Sequence, residues 1–187
     1  MDSGSIGRAT GPVCYTIGHS NRTIEEFLDM LQGPIIKLIV DVRTIPRSRH
    51  NTQYDKDSLT QTLSTASIGY VHLAALGGLR HAKADSANQG WINASFRGFA
   101  DYMQTQEFEN GLQTLIDFAQ GQSTAIMCAE AVPWRCHRSL IGDALLARGF
   151  TVLDIMSRTV IRPHAMTPWA DVQGTKVIYP GKRDRLT

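Results

Sequence analysis

The chain predicts an α/β fold, a mainly parallel sheet flanked by helices, and three observations carry that expectation. Short apolar runs alternate with segments of helical period along most of its length. The run Ile35–Val42 is apolar almost throughout, as in a strand covered on both faces. Polar or glycine-containing loops follow the apolar runs and carry His19, Asp41, Arg43, Gly77 and Cys128, on the side where open α/β sheets hold ligands.

The first strand is expected over Val13–Ile17, followed by Gly18-His-Ser-Asn21. Thr23 then caps a helix: Glu26 completes a capping box, and Ile24, Phe27, Leu28 and Leu31 form one apolar face. Gly33-Pro34 stops it, and the strand Ile35–Val42 brings Asp41 and Arg43 to its carboxyl end. Residues 44–57 are polar and basic, with Pro46 opposing a regular element, so a functional loop precedes a short helix near Ser58–Ser64. A brief strand, Tyr70–Ala74, leads into Leu76-Gly-Gly78. The polar, aperiodic stretch His81–Asn93 predicts an exposed excursion or lid. Helices near Phe96–Met103 and Glu107–Ala119, a strand Thr124–Cys128, a helix Arg135–Ala147 capped by Gly149, and a strand Phe150–Ile155 complete the order. Residues 1–12 read as a loose arm, and 13–187 as one α/β domain with a variable extension after about 156.

With 187 residues, 42% of them hydrophobic, the chain can bury the core of one domain. It contains no run of about 18 apolar residues and no basic-then-apolar leader, so a cytoplasmic protein without a membrane partner is expected. Three cysteines, Cys14, Cys128 and Cys136, cannot all pair within the chain, which points to reduced thiols. A formal charge of +2 is too small to mark a dedicated nucleic-acid binder. Arg43, Arg47, Arg49 and His50 concentrate charge locally, in a cluster that suits a small anion at least as well as a phosphate backbone.

The densest chemistry lies in Cys128-Ala-Glu-Ala-Val-Pro-Trp-Arg-Cys-His-Arg138, between a strand and a helix start. Unpaired amides and the positive end of a helix dipole favour a thiolate or an anion there. Cys128 reads as a nucleophile, with a buried strand-end cysteine as the alternative. Glu130 reads as an acid or base, or as an ion-pair partner of Arg135 or Arg138. His137 suits proton transfer or a brace between strand ends, whereas Cys136 suits inward packing. His19, Ser20, Asp41, Arg43, Arg47, Ser48, Gly77, Gly78, Trp134, Arg135 and Arg138 form the expected substrate-binding set. Within it, Arg43, Arg47 and Arg138 are expected to grip the anion; Gly77 and Gly78, with Gly18 beside the set, allow close approach to it or simply form turns. A buried Asp41–Arg43 ion pair competes with that reading.

Thr16-Ile-Gly-His-Ser20, Asp41-Val-Arg-Thr-Ile-Pro-Arg-Ser48, Leu76-Gly-Gly78, Met127-Cys-Ala-Glu130 and Cys136-His-Arg138 resemble the family known as domain of unknown function 488. That resemblance covers roughly Val13–Ile155 and implies no particular activity. A weaker likeness is to rhodanese-like sulfurtransferases and, beyond them, cysteine-dependent phosphatases. Asp41-Val-Arg43 resembles the rhodanese strand end, and Cys128 resembles the sulfur-carrying cysteine. The loop departs from both patterns: it places Glu130 near the thiol, lacks a donor at Pro133, and has six residues between Cys128 and Arg135, one more than the phosphatase spacing.

The functional expectation is a cysteine-dependent enzyme acting on a small anionic or nucleotide-like substrate. Two alternatives stand beside it. One is a metal-dependent enzyme using His19, Cys128, Glu130, Cys136 and His137, although these make no close-spaced ligand motif. The other is a nucleic-acid-binding protein in which Trp91, Tyr102 and Trp134 stack bases beside the basic loop. The residues name neither a cofactor nor an oligomeric state.

Overall fold

The computed structural model describes residues 11–181. Its main sheet contains β1 (Val13–Gly18), β2 (Leu38–Asp41), β3 (Gly69–His72), β4 (Thr124–Cys128), β5 (Thr151–Ile155) and β6 (Ile161–Pro163). Their spatial order is β3-β2-β4-β1-β5-β6. The first five run parallel, and β6 lies antiparallel along β5. On one face pack α1 (Ile24–Gln32) and α2 (Lys56–Thr65); on the other pack α3 (Ala94–Tyr102), α4 (Gln106–Gly121) and α5 (Arg138–Leu146). The chain therefore has the α/β fold expected of it, a mainly parallel sheet flanked by helices.

Two apolar layers follow from the two-residue period of the strands. Leu38 and Val40 of β2, with Ile126 and Cys128 of β4, face α3–α5; Ile39, Ala125 and Met127 face α1 and α2. Because β4 sits between β1 and β2, the chain leaves β1 and β2 toward one helical layer and leaves β4 toward the other. Loops that part in this way open a crevice at the carboxyl ends of the central strands.

Local chemistry explains several boundaries. The Thr23–Glu26 capping box is formed, with Glu26 N–H donating to Thr23 Oγ1 at 3.2 Å and Thr23 N–H donating to Glu26 Oε2 at 2.9 Å. At the other end of α1, Gly33 keeps a right-handed helical backbone and Ile35 turns left-handed (φ 54°). Ile35 is 65% exposed, so β2 starts at Leu38 rather than at Ile35. Helix α5 begins at Arg138 rather than Arg135, because a short 3₁₀ turn at Pro133–Arg135 ends in an extended Cys136. Gly149 caps that helix as expected, with φ 80° and with the Gly149 and Phe150 amides donating to Leu146 and Leu145 carbonyls.

Other expectations require correction. The stretch His81–Asn93 has no regular element before α3, but it is no free lid: Lys83 N–H, Ser86 Oγ and Asn88 Nδ2 all donate to the buried Asp101. The expected arm over 1–12 lies outside the described residues except for Gly11 and Pro12, and Pro12 accepts a hydrogen bond from Thr151 N–H. Beyond 156 the chain forms β6 and a hairpin of β7 (Asp171–Gln173) and β8 (Lys176–Ile178), and Val177 and Tyr179 enter the α3–α5 core.

A buried polar knot fastens this last segment. Asp143 of α5 accepts from Tyr179 Oη at 2.9 Å and Thr167 N–H at 3.0 Å, and Asp154 of β5 accepts from Thr16 Oγ1 at 2.6 Å. His164 bridges the two carboxylates at 3.3 and 3.1 Å. Burial opposes its charge, but the paired carboxylates outweigh that penalty and raise its pKa to about 9. The stabilisation this gives is complete below the unfolded value of about 6.5 and is lost as pH rises through about 9. Urea unfolding should therefore show stability falling across that window. His164→Gln should flatten the slope there, and an unchanged slope would contradict the assignment.

Candidate active site at the strand ends

Three strand ends supply the site: β1 ends in Gly18-His19-Ser20, β2 in Asp41-Val42-Arg43, and β4 in Cys128, whose loop 129–137 returns to α5. Between them lies a cavity of about 390 Å³. His19, Arg43, Arg47, Ser48, Gly78, Cys128, Glu130, Arg135 and His137, all singled out from the sequence, line it. Cys136 joins them, as do Thr44, Ile45, Leu79, Ser95, Phe96 and Ala129, which sequence reasoning missed. Exposed Ile45 and Leu79 within polar loops were the available signal.

Cys128 is 9% exposed at the cavity floor. Hydrogen bonding from Cys136 holds its thiol well below the ordinary range against the opposing effect of burial, with help from His137 and the charge of Arg138. The same hydrogen bond pushes the Cys136 thiol well up, and burial adds to it. His137 Nε2 donates to Val42 O at 3.0 Å, leaving Nδ1 toward the sulfurs, 3.6 Å from Cys136 Sγ. Donor atoms of Cys128, Cys136 and His137 lie within 4.8 Å of one another, close enough to hold a thiophilic cation with three ligands. The other two residues of the metal alternative are differently employed: His19 accepts from Arg43, and Glu130 accepts from Val132 N–H at 3.2 Å.

Arg138 does not line the cavity, where its expected role would place it. Its guanidinium is 1% exposed and donates to the carbonyls of Ile17 (2.6 Å), Glu130 (2.9 Å) and Ala131 (3.4 Å), so it braces the site from behind. Glu130 thus reaches Arg138 through its backbone carbonyl, while its exposed carboxylate stays at the cavity rim. Asp41 likewise lies beneath the site. It accepts from Arg43 Nε and Nη2 and from Tyr70 Oη, which is the buried ion-pair arrangement. Arg43 keeps Nη1 for His19 Nε2 at 3.4 Å. His19 Nδ1 donates to Ser20 O at 2.7 Å. Burial, aided by the charge of Arg43, lowers the His19 pKa to about 4, so this ring is neutral and both nitrogens are engaged.

Further corrections concern the small and aromatic residues. Ser20 contributes its carbonyl from a left-handed backbone (φ 53°) and does not line the cavity. All three glycines admit close protein neighbours, and Gly78 also lines the cavity: a Cβ on Gly18 would lie 1.9 Å from Glu130 O, on Gly77 2.8 Å from Thr44 Oγ1, and on Gly78 2.5 Å from the His137 ring. Trp134 is 60% exposed and lines a different cavity. Trp91 stacks on Phe96 at 4.7 Å, and Tyr102 is buried beneath Arg80 with its hydroxyl on Ala75 O. Trp91 lines the same separate cavity as Trp134, and neither Trp91 nor Tyr102 lines the cavity at the strand ends.

Four positions of the loop offer no amide to a ligand. Val132, Arg135 and Cys136 N–H groups bond within the loop, and Pro133 has none. What the geometry defines is a strand-end cysteine site in an α/β domain, built from a thiol pair, a histidine and a buried arginine. The chain belongs to the family described as Domain of unknown function DUF488, whose model matches residues 23–145. Neither the curated proteins nor the solved structures contain a match to it.

Two outcomes are expected. Alkylation with iodoacetamide should modify Cys128 first with a midpoint below the ordinary thiol range, Cys136 later, and Cys14 only on unfolding, since burial lifts Cys14 to about 12. Peptide mapping across pH reads that order, and preferential labelling of Cys136 would reverse the assignment. Gly78→Ala should lower unfolding stability by about 1–3 kcal/mol through collision with His137.

Proposed function

We propose that the protein is a cysteine-dependent enzyme acting on a small substrate with a negative charge and an apolar body, and that Cys128 is its nucleophile. One observation carries this reading: an acidified thiol opens on a cavity whose mouth bears Arg47 and Arg135. Both arginines are exposed, and neither makes an ion pair among the described residues. They are the groups available to an anion, whereas Arg43 and Arg138 are occupied by protein acceptors. Ile45, Leu79 and Phe96 offer apolar surface to the rest of the substrate.

The chemistry asked of the site is nucleophilic attack by sulfur followed by proton transfer. His137 Nδ1 stands beside the sulfurs to take or give that proton, and Glu130 is a second carrier at the rim. His19 keeps Arg43 in place rather than moving protons, because its nitrogens are engaged. Among the described residues no helix is long and apolar enough to cross a membrane. Reduced thiols suit the cytoplasm, which we propose as the compartment.

A comparison of iodoacetate with iodoacetamide tests the anion requirement. Cys128 should react with the anionic reagent faster, relative to the neutral one, than a free thiol does. The preference should fall roughly fivefold in Arg47→Ala/Arg135→Ala, as expected for loss of about 1 kcal/mol of attraction. An identical ratio in wild type and variant would remove the anion from this reading.

A further inference from the structure

We propose that Cys136 is the resolving thiol for Cys128, and that the site reduces small organic disulfides bearing an anionic group and an apolar body. The inference rests on Cys128 being the nucleophile and names its reaction.

The arrangement of the two sulfurs points there. Cys128 and Cys136 both line the cavity, Cys128 9% and Cys136 5% exposed, with the thiol and imidazole donor atoms all within 4.8 Å of one another. The 3₁₀ turn at Pro133–Arg135 reverses the loop, and the extended backbone at Cys136 returns the second sulfur to the first. Arg138 N–H donates to Cys136 Sγ at 3.5 Å, holding it on the cluster side. An S–S bond of about 2.05 Å is shorter than the 4.8 Å limit on the present separation, so closure requires side-chain rotation, of Cys128 at the end of β4 and of Cys136 in the loop. Cys14 is not a competitor, being fully buried on β1 with its Sγ donating to Tyr15 O.

The reaction is two successive thiol–disulfide exchanges. The Cys128 thiolate attacks one sulfur of the substrate disulfide; a Cys128–substrate S–S bond forms, the substrate's own S–S bond breaks, and the other half leaves as a thiolate. Cys136 then gives its proton to His137 Nδ1 and attacks Cys128 Sγ. A Cys128–Cys136 bond forms, and the second half leaves as a thiolate that takes up the proton. The substrate gains two electrons and the cysteine pair loses them. A small external thiol or dithiol reverses the protein oxidation by the same exchange. Arg47 and Arg135 at the mouth suit the anionic group of the substrate and the departing charge.

The probe is 5,5′-dithiobis(2-nitrobenzoate), an aryl disulfide with two carboxylates, at one equivalent with native protein. Wild type should release two aryl thiolates per chain and end lighter by two hydrogens, with no adduct. Cys136→Ser and Cys136→Ala should release one and retain the aryl group on Cys128. Cys128→Ser should lose the fast phase. A stable adduct on Cys128 in wild type would overturn the resolving role while leaving the nucleophile standing. Absence of reaction at Cys128 in wild type and in both Cys136 variants would overturn both. Stoichiometric zinc in protein purified without chelator, blocking exchange until removed, would also overturn the proposal by making the three donors ligands.

Discussion

A buried, unneutralised guanidinium is the constraint on which the site depends. Arg138 ties the end of β1 to the loop after β4 and to the first turn of α5 through three backbone carbonyls. Burying a charge costs several kcal/mol unless hydrogen bonds replace the lost water. Carbonyl oxygens replace that water without cancelling the charge, so a positive potential remains behind the sulfurs. Gly18 makes the brace possible, because any side chain there would occupy the position of the Glu130 carbonyl.

Arg43 shows the opposite solution a few residues away. Its charge is neutralised by Asp41, and the pair is fixed by Tyr70 and by the Tyr54 carbonyl. What it contributes is position: its remaining N–H groups orient His19, whose ring stacks on Tyr54 at 4.1 Å. One arginine thus supplies electrostatics and the other rigidity, while Arg47 and Arg135 stand exposed at the mouth.

The legible parts of the sequence were those with local physics. The Thr23–Glu26 box, the apolar face of α1, the continuous apolar run of β2 and the glycine after α5 each declare themselves within a few residues. The gathering of strand ends was legible too, since parallel topology sends loops after strands to one side. Partners distant in sequence were not. Arg138 reads as a ligand because arginines are seldom buried, and only Ile17, 121 positions away, reveals its role. Cys136 reads as core filler because seven intervening residues make no recognised pattern, although a tight turn closes that gap. Ile35 hid the true start of β2, as a β-branched residue rarely adopts a left-handed turn. The three-residue strands β6, β7 and β8 are largely exposed and lack an alternation long enough to read.

The insertion of β4 between β1 and β2 has a kinetic consequence. The two older strands have no hydrogen-bonded contact with each other until a segment about a hundred residues later in the chain fills the gap. Non-local pairing of this kind is slow to form, and the open edges wait for it. Cys128 is the last residue of that inserted strand, and the groups that acidify it are assembled only when the strand is seated. During synthesis the Cys128 sulfur therefore lacks part of the surroundings that acidify it, and these are complete only in a chain whose sheet has already closed.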